Sequence, residues 1–479
     1  MWDKDQLRDG NRTRHGAALS VAWEEDFGVA SFAQVVLHVG DAARRSGATM
    51  TKPSQDTWRG IAAWSCYDFA NSAYATSVMA TLFPILFKLY WNGPEVPAAE
   101  STFRLGVSSS AAGLAVAMLA PLLGALADRG SARKRFLAFF LAIGVTATAA
   151  LYLVEEGAWG MAAACYVLSM IGFMGGNVFY DALLPVVASE RRVDFVSGLG
   201  YGVGYLGGGL LLILHAAIIN DYETFGFVGK GDATRACIAS VALWWGLFAL
   251  PLLLFVDEPS EQGGIKGLGL RSGLAELSRT FHEVRKLRHT ALFLLAYWLY
   301  IDGVDTVILM ATDYGLSLGF SEAALLQAFV VTQLVGFPAA LVFGKVGQRL
   351  GPKTGVYVAI LAYLGICTFG YFLESESQFW GLAIAVGLVQ GGIQALSRSL
   401  YTRLIPASRS GEFFGFYNML GKFAAVLGPL LVGVVSKLTG ETRYGLLSLL
   451  VLFAAGAYVL SKVDVAAGQR HALEVDVSP

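Results

Sequence analysis

Five ionisable side chains interrupt long apolar runs of this chain: Asp68, Asp181, Asp302, Asp305 and Arg398. A charge at the depth of a bilayer core is costly and is usually kept for a function. The chemistry open to these groups is narrow. A carboxyl group in an apolar site can hold a proton at physiological pH or receive an ammonium group. A guanidinium presents a planar fork to a carboxylate. Asn71 follows Asp68 by three positions and so shares its helical face, with Tyr67 and Tyr74 flanking the pair. Asp302 and Asp305 repeat that spacing. On this reading Asp302, with Asp305 or Asp68, binds a proton or a substrate ammonium, Tyr67 and Asn71 line the same site, and Arg398 offers its fork to a carboxylate. Plainer readings stay open. Asp181 and Arg398 can form a gate pair that never touches cargo, Asp302 can serve as a cap or interhelical hydrogen bond beside Gly303, and Asp68 can be structural.

Other chemistry has no footing. There is no GxxxxGK[ST] loop for ATP and no HExxH or other zinc spacing among the six His. The four Cys make no CxxC pair. Neither an enzyme, a metal site nor a cofactor is expected. His215, near the outer end of the fifth apolar segment, is a proton site or an interfacial residue. Net charge is −1, which gives no basic field to attract nucleic acid.

The elements that must position these residues are apolar helices. Hydrophobic residues make up 55% of the 479 positions and charged residues 15%, too few for a soluble surface, which carries about 25%. A membrane helix needs about 20 apolar residues. Segments of that length fall at 59–91, 103–127, 134–154, 159–188, 195–219 and 234–256. Six more fall at 290–312, 323–348, 353–373, 377–402, 412–436 and 443–463. The expected fold is an all-α membrane protein of twelve transmembrane helices. Residues 58–256 form one six-helix bundle, 257–289 a cytoplasmic linker, 290–464 a second bundle and 465–479 a tail. Residues 1–57 read as a poorly ordered cytosolic tail, or as sequence upstream of a true start at Met50.

Alternate loops differ in charge. One set holds Arg129, Arg133, Lys134, Arg191, Arg192, Lys345, Arg349, Lys353, Arg403 and Arg409, and the linker adds more. The other set is acidic, with Glu95, Glu155, Glu156, Glu223, Glu374, Glu376 and Glu441. Positive loops stay inside, so both termini are expected in the cytoplasm, with the chain in the inner membrane.

The halves echo each other. Gly124-Ala-Leu-Ala-Asp128-Arg129 corresponds to Gly344-Lys-Val-Gly-Gln348-Arg349, and Gly175-Gly176 to Gly391-Gly392. Gly198 and Gly204 correspond to Gly415 and Gly421. Asp181 and Arg398 then hold equivalent positions to within one residue. Two parallel repeats place a cargo site near the midplane, between halves that rock about it.

The six-plus-six plan and the loop from Gly124 to Lys134 resemble the major facilitator superfamily. Tyr67-Asp-Phe-Ala-Asn-Ser-Ala-Tyr74, the Tyr300, Asp302 and Asp305 group, Gln394-Ala-Leu-Ser-Arg-Ser-Leu400 and Glu412-Phe-Phe-Gly-Phe-Tyr417 narrow the resemblance. They are similar to the vacuole effluxer family, the autophagy-related vacuolar amino-acid exporters and their bacterial homologues. The resemblance implies a monomeric secondary transporter for small polar solutes, amino acids among them, driven by protons. It also implies that the first, fourth, seventh and tenth helices line the cavity. Asp128, Arg129 and Arg133, with Arg349 in the second copy, are then a charge latch, or else simple cytoplasmic anchors. Gln348 in place of Asp weakens the second latch. The competing classes are a lipid flippase of the same fold and a transport-dead membrane sensor.

Overall fold

The computed structural model describes residues 55–92, 96, 104–105, 107–109, 111–116, 127, 132–258, 286–318, 320–424, 427–439 and 441–477. Among these the chain is helical throughout, with no strand. In chain order the helices are α1 (Trp58–Leu86), α2 (Val107–Val116), α3 (Arg133–Ala150), α4 (Trp159–Ala182), α5 (Val193–Asn220), α6 (Lys230–Phe255) and α7 (Arg288–Ser317). They continue as α8 (Glu322–Leu350), α9 (Pro352–Tyr371), α10 (Glu376–Arg403), α11 (Ser410–Ala424), α12 (Leu427–Thr439), α13 (Thr442–Ser461) and α14 (Val465–Val477).

Ten of the described helices are long and apolar enough to cross a membrane. Two of the twelve segments expected from the sequence are described only in part. The segment 103–127 falls largely outside the described residues and is seen as α2 alone. The segment 412–436 is described on either side of residues 425–426, as α11 and α12. Within the expected tail 465–479, Val465–Val477 form α14.

Local chemistry sets the helix ends. Thr57 caps α1 by accepting the Gly60 N–H at 3.2 Å, and Ser375 and Gln378 form a capping box at the start of α10. Between α8 and α9 the chain reverses on Gly351, whose φ of 84° lies in the region a side chain disfavours. Pro352 then opens α9, where its missing N–H costs nothing. Asp464 caps α14 by accepting the Ala467 N–H at 2.9 Å, which holds its carboxyl below the usual range. Within α1, Tyr74–Leu82 widens into a π-helix, a form that often marks a functional stretch.

The buried side chains form two cores. One runs from Ile61 to Val256 and the other, apart from Ala182, from Leu287 to Val463. Leu243, Leu361 and Val451 lie outside them and are 73%, 70% and 65% exposed, as befits helices whose solvent is hydrocarbon. The two halves meet where α5 packs on α8 and α10, and where α4 packs on α11.

Candidate functional site

Bare backbone lets the halves and their helices approach. The Gly200, Gly204 and Gly208 stripe of α5 lies against α1. A Cβ on Gly200 would sit 2.6 Å from an oxygen of Asp68, and one on Gly204 would sit 2.5 Å from Ser72 Oγ. At the end that carries the basic loops, α5 crosses α8 just as closely. A Cβ on Gly198 would fall 2.7 Å from the Ala340 carbonyl and 2.9 Å from Gly344 Cα. Small residues that let helices touch along their backbones are the usual glue of membrane bundles.

This packing seats Arg398 between the halves, 1% exposed. Its Nη1 donates to Asp181 Oδ1 at 3.1 Å and its Nη2 reaches Asp68 Oδ2 at 3.5 Å. Its Nε donates to Ser197 Oγ at 2.9 Å, and Nη2 also donates to the Ser197 carbonyl at 3.0 Å. The guanidinium lies 4.3 Å from the Tyr201 ring centre and 4.8 Å from that of Trp64. Each carboxylate has a further donor: Tyr180 Oη gives a 2.7 Å bond to Asp68 Oδ2, and Asn418 Nδ2 a 3.1 Å bond to Asp181 Oδ2. Five helices thus converge on one cation: α1, α4, α5, α10 and α11.

Asn71 lies on the same face as Asp68 and donates to Asn177 Oδ1 at 2.7 Å. Tyr67 stacks on Tyr180 with ring centres 4.9 Å apart. Asp68, Asn71, Asp181, Asp305 and Arg398 all line one cavity of about 620 Å³ between the halves. From Arg398 it runs past Met310, Tyr314, Leu325, Phe379 and Leu446, toward the end whose loops are acidic.

Asp302 is not among the residues that line this cavity. It is fully buried and turned to α12, where the Gly428 N–H reaches both of its oxygens at 3.0 Å and Thr306 Oγ1 donates at 3.5 Å. Asp302 is therefore the interhelical clamp, and Asp305 the residue at the cavity. Three residues advance a helix by about 300°, so such a pair stands about 60° apart, and here the cavity edge falls between them.

The basic end is closed by bonds between the halves. Arg403 pairs with Asp194 at 2.6 Å and with Glu190 at 3.5 Å. Gln348 Nε2 donates to the Arg191 carbonyl at 2.9 Å, and Ser197 Oγ to the Ala395 carbonyl at 2.8 Å. Arg133 reaches across to the Ser408 carbonyl at 3.1 Å. On the other side of that turn, Asp476 of α14 accepts the Ala407 N–H at 2.8 Å. Glu258 receives the Arg133 N–H at 2.9 Å, and burial pushes its carboxyl up. Of the expected latch, Arg133 makes these contacts and Arg349 is exposed, while Asp128 and Arg129 lie outside the described residues. His215 is buried between Ser77 at 3.2 Å and Ser240 at 2.8 Å, inside the first half.

Sequence reasoning missed Tyr180, Ser197, Asn418 and Tyr205. Tyr180 was within reach of it, as the neighbour of Asp181. Nothing in the sequence marks Ser197, which contributes a backbone carbonyl as well as its hydroxyl. Tyr205 crosses from α5 to the second half, where Cβ atoms on Gly336 and Gly391 would come within 3.2 and 2.6 Å of its ring.

Comparison with known proteins adds the following. The family model described as "Vacuole effluxer Atg22 like" matches residues 89–473. The Bacillus subtilis (strain 168) protein YxiO, described as an uncharacterized MFS-type transporter, is 40% identical over 402 residues, or 84% of this chain and 94% of its own. Autophagy-related protein 22 of Saccharomyces cerevisiae (strain S288c) is 24% identical over 503 residues, or 87% of this chain and 93% of its own. Among solved structures, the proton:xylose symporter XylE, bound to 6-bromo-6-deoxy-D-glucose, superposes with a TM-score of 0.66 at 12% identity. That match covers 84% of this chain and 95% of XylE, and it is a likeness of fold.

Proposed function

The chain belongs to the Atg22-like family of vacuole effluxers, multi-pass membrane transporters of the major facilitator fold and not enzymes, and we propose that it is a proton-coupled secondary transporter of a small polar solute. Amino acids are the solute class that the family resemblance brings, and the protein acts as a monomer. The observation that carries the proposal is the sharing of one guanidinium, that of Arg398, by the carboxylates of Asp68 and Asp181 beneath the cavity.

The coupling follows from charge. With both carboxylates ionised the cluster is net negative, and one proton neutralises it. Protonation weakens a bridge that ties α1 and α4 to α10. The halves then part at the basic end, and cargo and proton leave there. When the basic end closes again, Arg403 returns to Asp194 and the cavity faces the acidic end. The basic end is cytoplasmic by the charge of its loops, so the protein sits in the cell's inner membrane with both termini inside, and the conformation described is the outward-facing one.

Purified protein in liposomes tests the proposal. A pH gradient should drive accumulation of an accepted solute, and Asp68→Asn should abolish that accumulation while leaving solute exchange. A gradient that drives no flux with any accepted solute rules out proton coupling.

A further inference from the structure

We infer that Asn177, Gln333, Gln390 and Gln394 select the cargo by its uncharged hydrogen-bonding groups, so that a solute carrying hydroxyl or carboxamide groups is taken over an apolar one of the same skeleton. The inference rests on the transport reading above and adds the chemical class of the cargo and the residues that choose it.

Placement makes the first argument. Asn177 stands four residues before Asp181 on α4, and Gln394 stands four before Arg398 on α10. Four residues are about one turn, or about 6 Å along the axis. An amide therefore lies one turn from each member of that ion pair, one in each half, on the side of the acidic loops. Gln390 is a further turn along α10. Gln333 stands on α8 and faces α5, where a Cβ on Gly209 would lie 3.7 Å from its own Cβ. All four amides line the cavity. A cargo hydrogen-bonded to Asn177 and Gln394 touches both halves, and it is released when the halves rock.

The second argument is the partners these amides lack. Asn177 Oδ1 accepts from Asn71 at 2.7 Å, and its Nδ2 makes no hydrogen bond to a described residue. Gln390 and Gln394 make none with either end of the amide, and nor does Gln333, although it is only 6% exposed. A primary amide carries both donors and an acceptor. A hydroxyl or carboxamide group answers both functions. An ammonium group answers only the acceptor, a carboxylate only the donors, and an alkyl group neither. Closing the acidic end over cargo takes these amides away from water, and a buried polar group left without a partner is penalised. Closure is therefore opposed over an apolar cargo and permitted over one that pairs the amides. A site built to hydrogen-bond its substrate rejects an analogue lacking those groups for the same reason.

Two pairs of probes, each with one skeleton and different hydroxyl content, test the inference: threonine against valine, and myo-inositol against cyclohexanol. Thermal melting of the detergent-purified full chain should show the hydroxylated member binding about fivefold or more tightly, the worth of one neutral hydrogen bond. Gln394→Leu and Gln333→Leu keep the bulk of the side chain and remove its donors and acceptor, so each should shrink that preference. Gln394→Asn should keep part of it, and the ligand-free melting of each variant reports its folding. The inference is overturned if, in a pair that shifts the melting, the less hydroxylated member stabilises as strongly as its counterpart. It is overturned too if neither pair causes a shift, or if the folded Leu variants keep the full preference. Counterflow in liposomes separates the two layers. Preferential binding without counterflow of the preferred probe sinks the transport reading and leaves the amide site. Counterflow with no preference within a pair sinks the amide site and leaves the transporter.

Discussion

Asp181 and Arg398 stand 217 residues apart in sequence and meet at 3.1 Å. That separation is within one residue of the one between Gly175 and Gly391, so the two side chains hold corresponding places in the two repeats. A pseudo-two-fold relation brings corresponding positions of adjoining helices face to face across the axis. One substitution in either copy then converts a repeat position into an ion pair.

Breaking that tie from the cationic side should be costly. Arg398→Gln leaves two buried carboxylates facing each other without a counter-charge. Loss of one partner of a buried pair costs about 3–5 kcal/mol, so the melting temperature should fall sharply and flux should disappear. Adding Asp181→Asn to Arg398→Gln should recover part of the melting temperature, because the stranded charge is removed. A double variant no more stable than Arg398→Gln alone would mean that the pair is not the source of the loss.

Asp68 should be separable from mere scaffolding. Asp68→Asn keeps the shape and hydrogen-bonding capacity of the side chain but removes its charge. Accumulation driven by a pH gradient should vanish while counterflow continues. Tyr180→Phe removes only the 2.7 Å bond to Asp68 and should cost about 1 kcal/mol of stability, with gradient-driven flux reduced rather than lost. Unchanged gradient-driven accumulation in Asp68→Asn would move the proton site elsewhere.

How much of this was legible in the sequence depends on what kind of interaction carried it. Asp68, Asp181, Asp305 and Arg398 stood out because a charge inside an apolar run is rare, and all four line the cavity. Their grouping was not legible, since Asp68 and Arg398 lie 330 residues apart and only the closure of the halves joins them. Asp302 looked identical to Asp305 by composition and spacing. What separates the two is a turn of about 60° on the helix and the approach of Gly428 to Asp302, which no periodicity marks.

Asp302 should accordingly behave as a structural residue. Asp302→Ala removes the acceptor for the buried Gly428 N–H and should cost about 1–3 kcal/mol, the range for a buried donor left unsatisfied. Asp302→Asn should cost less, since an amide oxygen still accepts. In both variants the pH profile of whatever flux survives should match that of the unaltered protein. A displaced pH profile would return Asp302 to the coupling machinery.

The crossing of α5 and α8 gives a handle on conformation. A side chain on Gly198 meets backbone, the Ala340 carbonyl at 2.7 Å and Gly344 Cα at 2.9 Å, and backbone cannot swing aside as a side chain can. Gly198→Val should therefore disfavour closure of the basic end. Spin labels at Arg191 and Arg349 should report a longer distance in the variant, and the bonds from Gln348 to Arg191 and from Arg403 to Asp194 should be lost with it. An unaltered distance distribution would show that the crossing yields without opening.

The seating of Tyr205 ties the mutational fates of distant positions together. Its ring, carried by the first half, fills space that bare backbone at Gly336 and Gly391 leaves open in the second. While the phenol is there, neither glycine tolerates even a methyl group without the ring shifting. Shorten residue 205 to alanine and Gly336 is released, whereas a methyl group at Gly391 still meets Ala340 Cβ at 3.1 Å. Substitutions at 336 should then change from harmful to harmless according to what occupies 205, and those at 391 should become milder without becoming neutral. A survey of single variants would record three intolerant sites there, and only combinations would reveal a single joint.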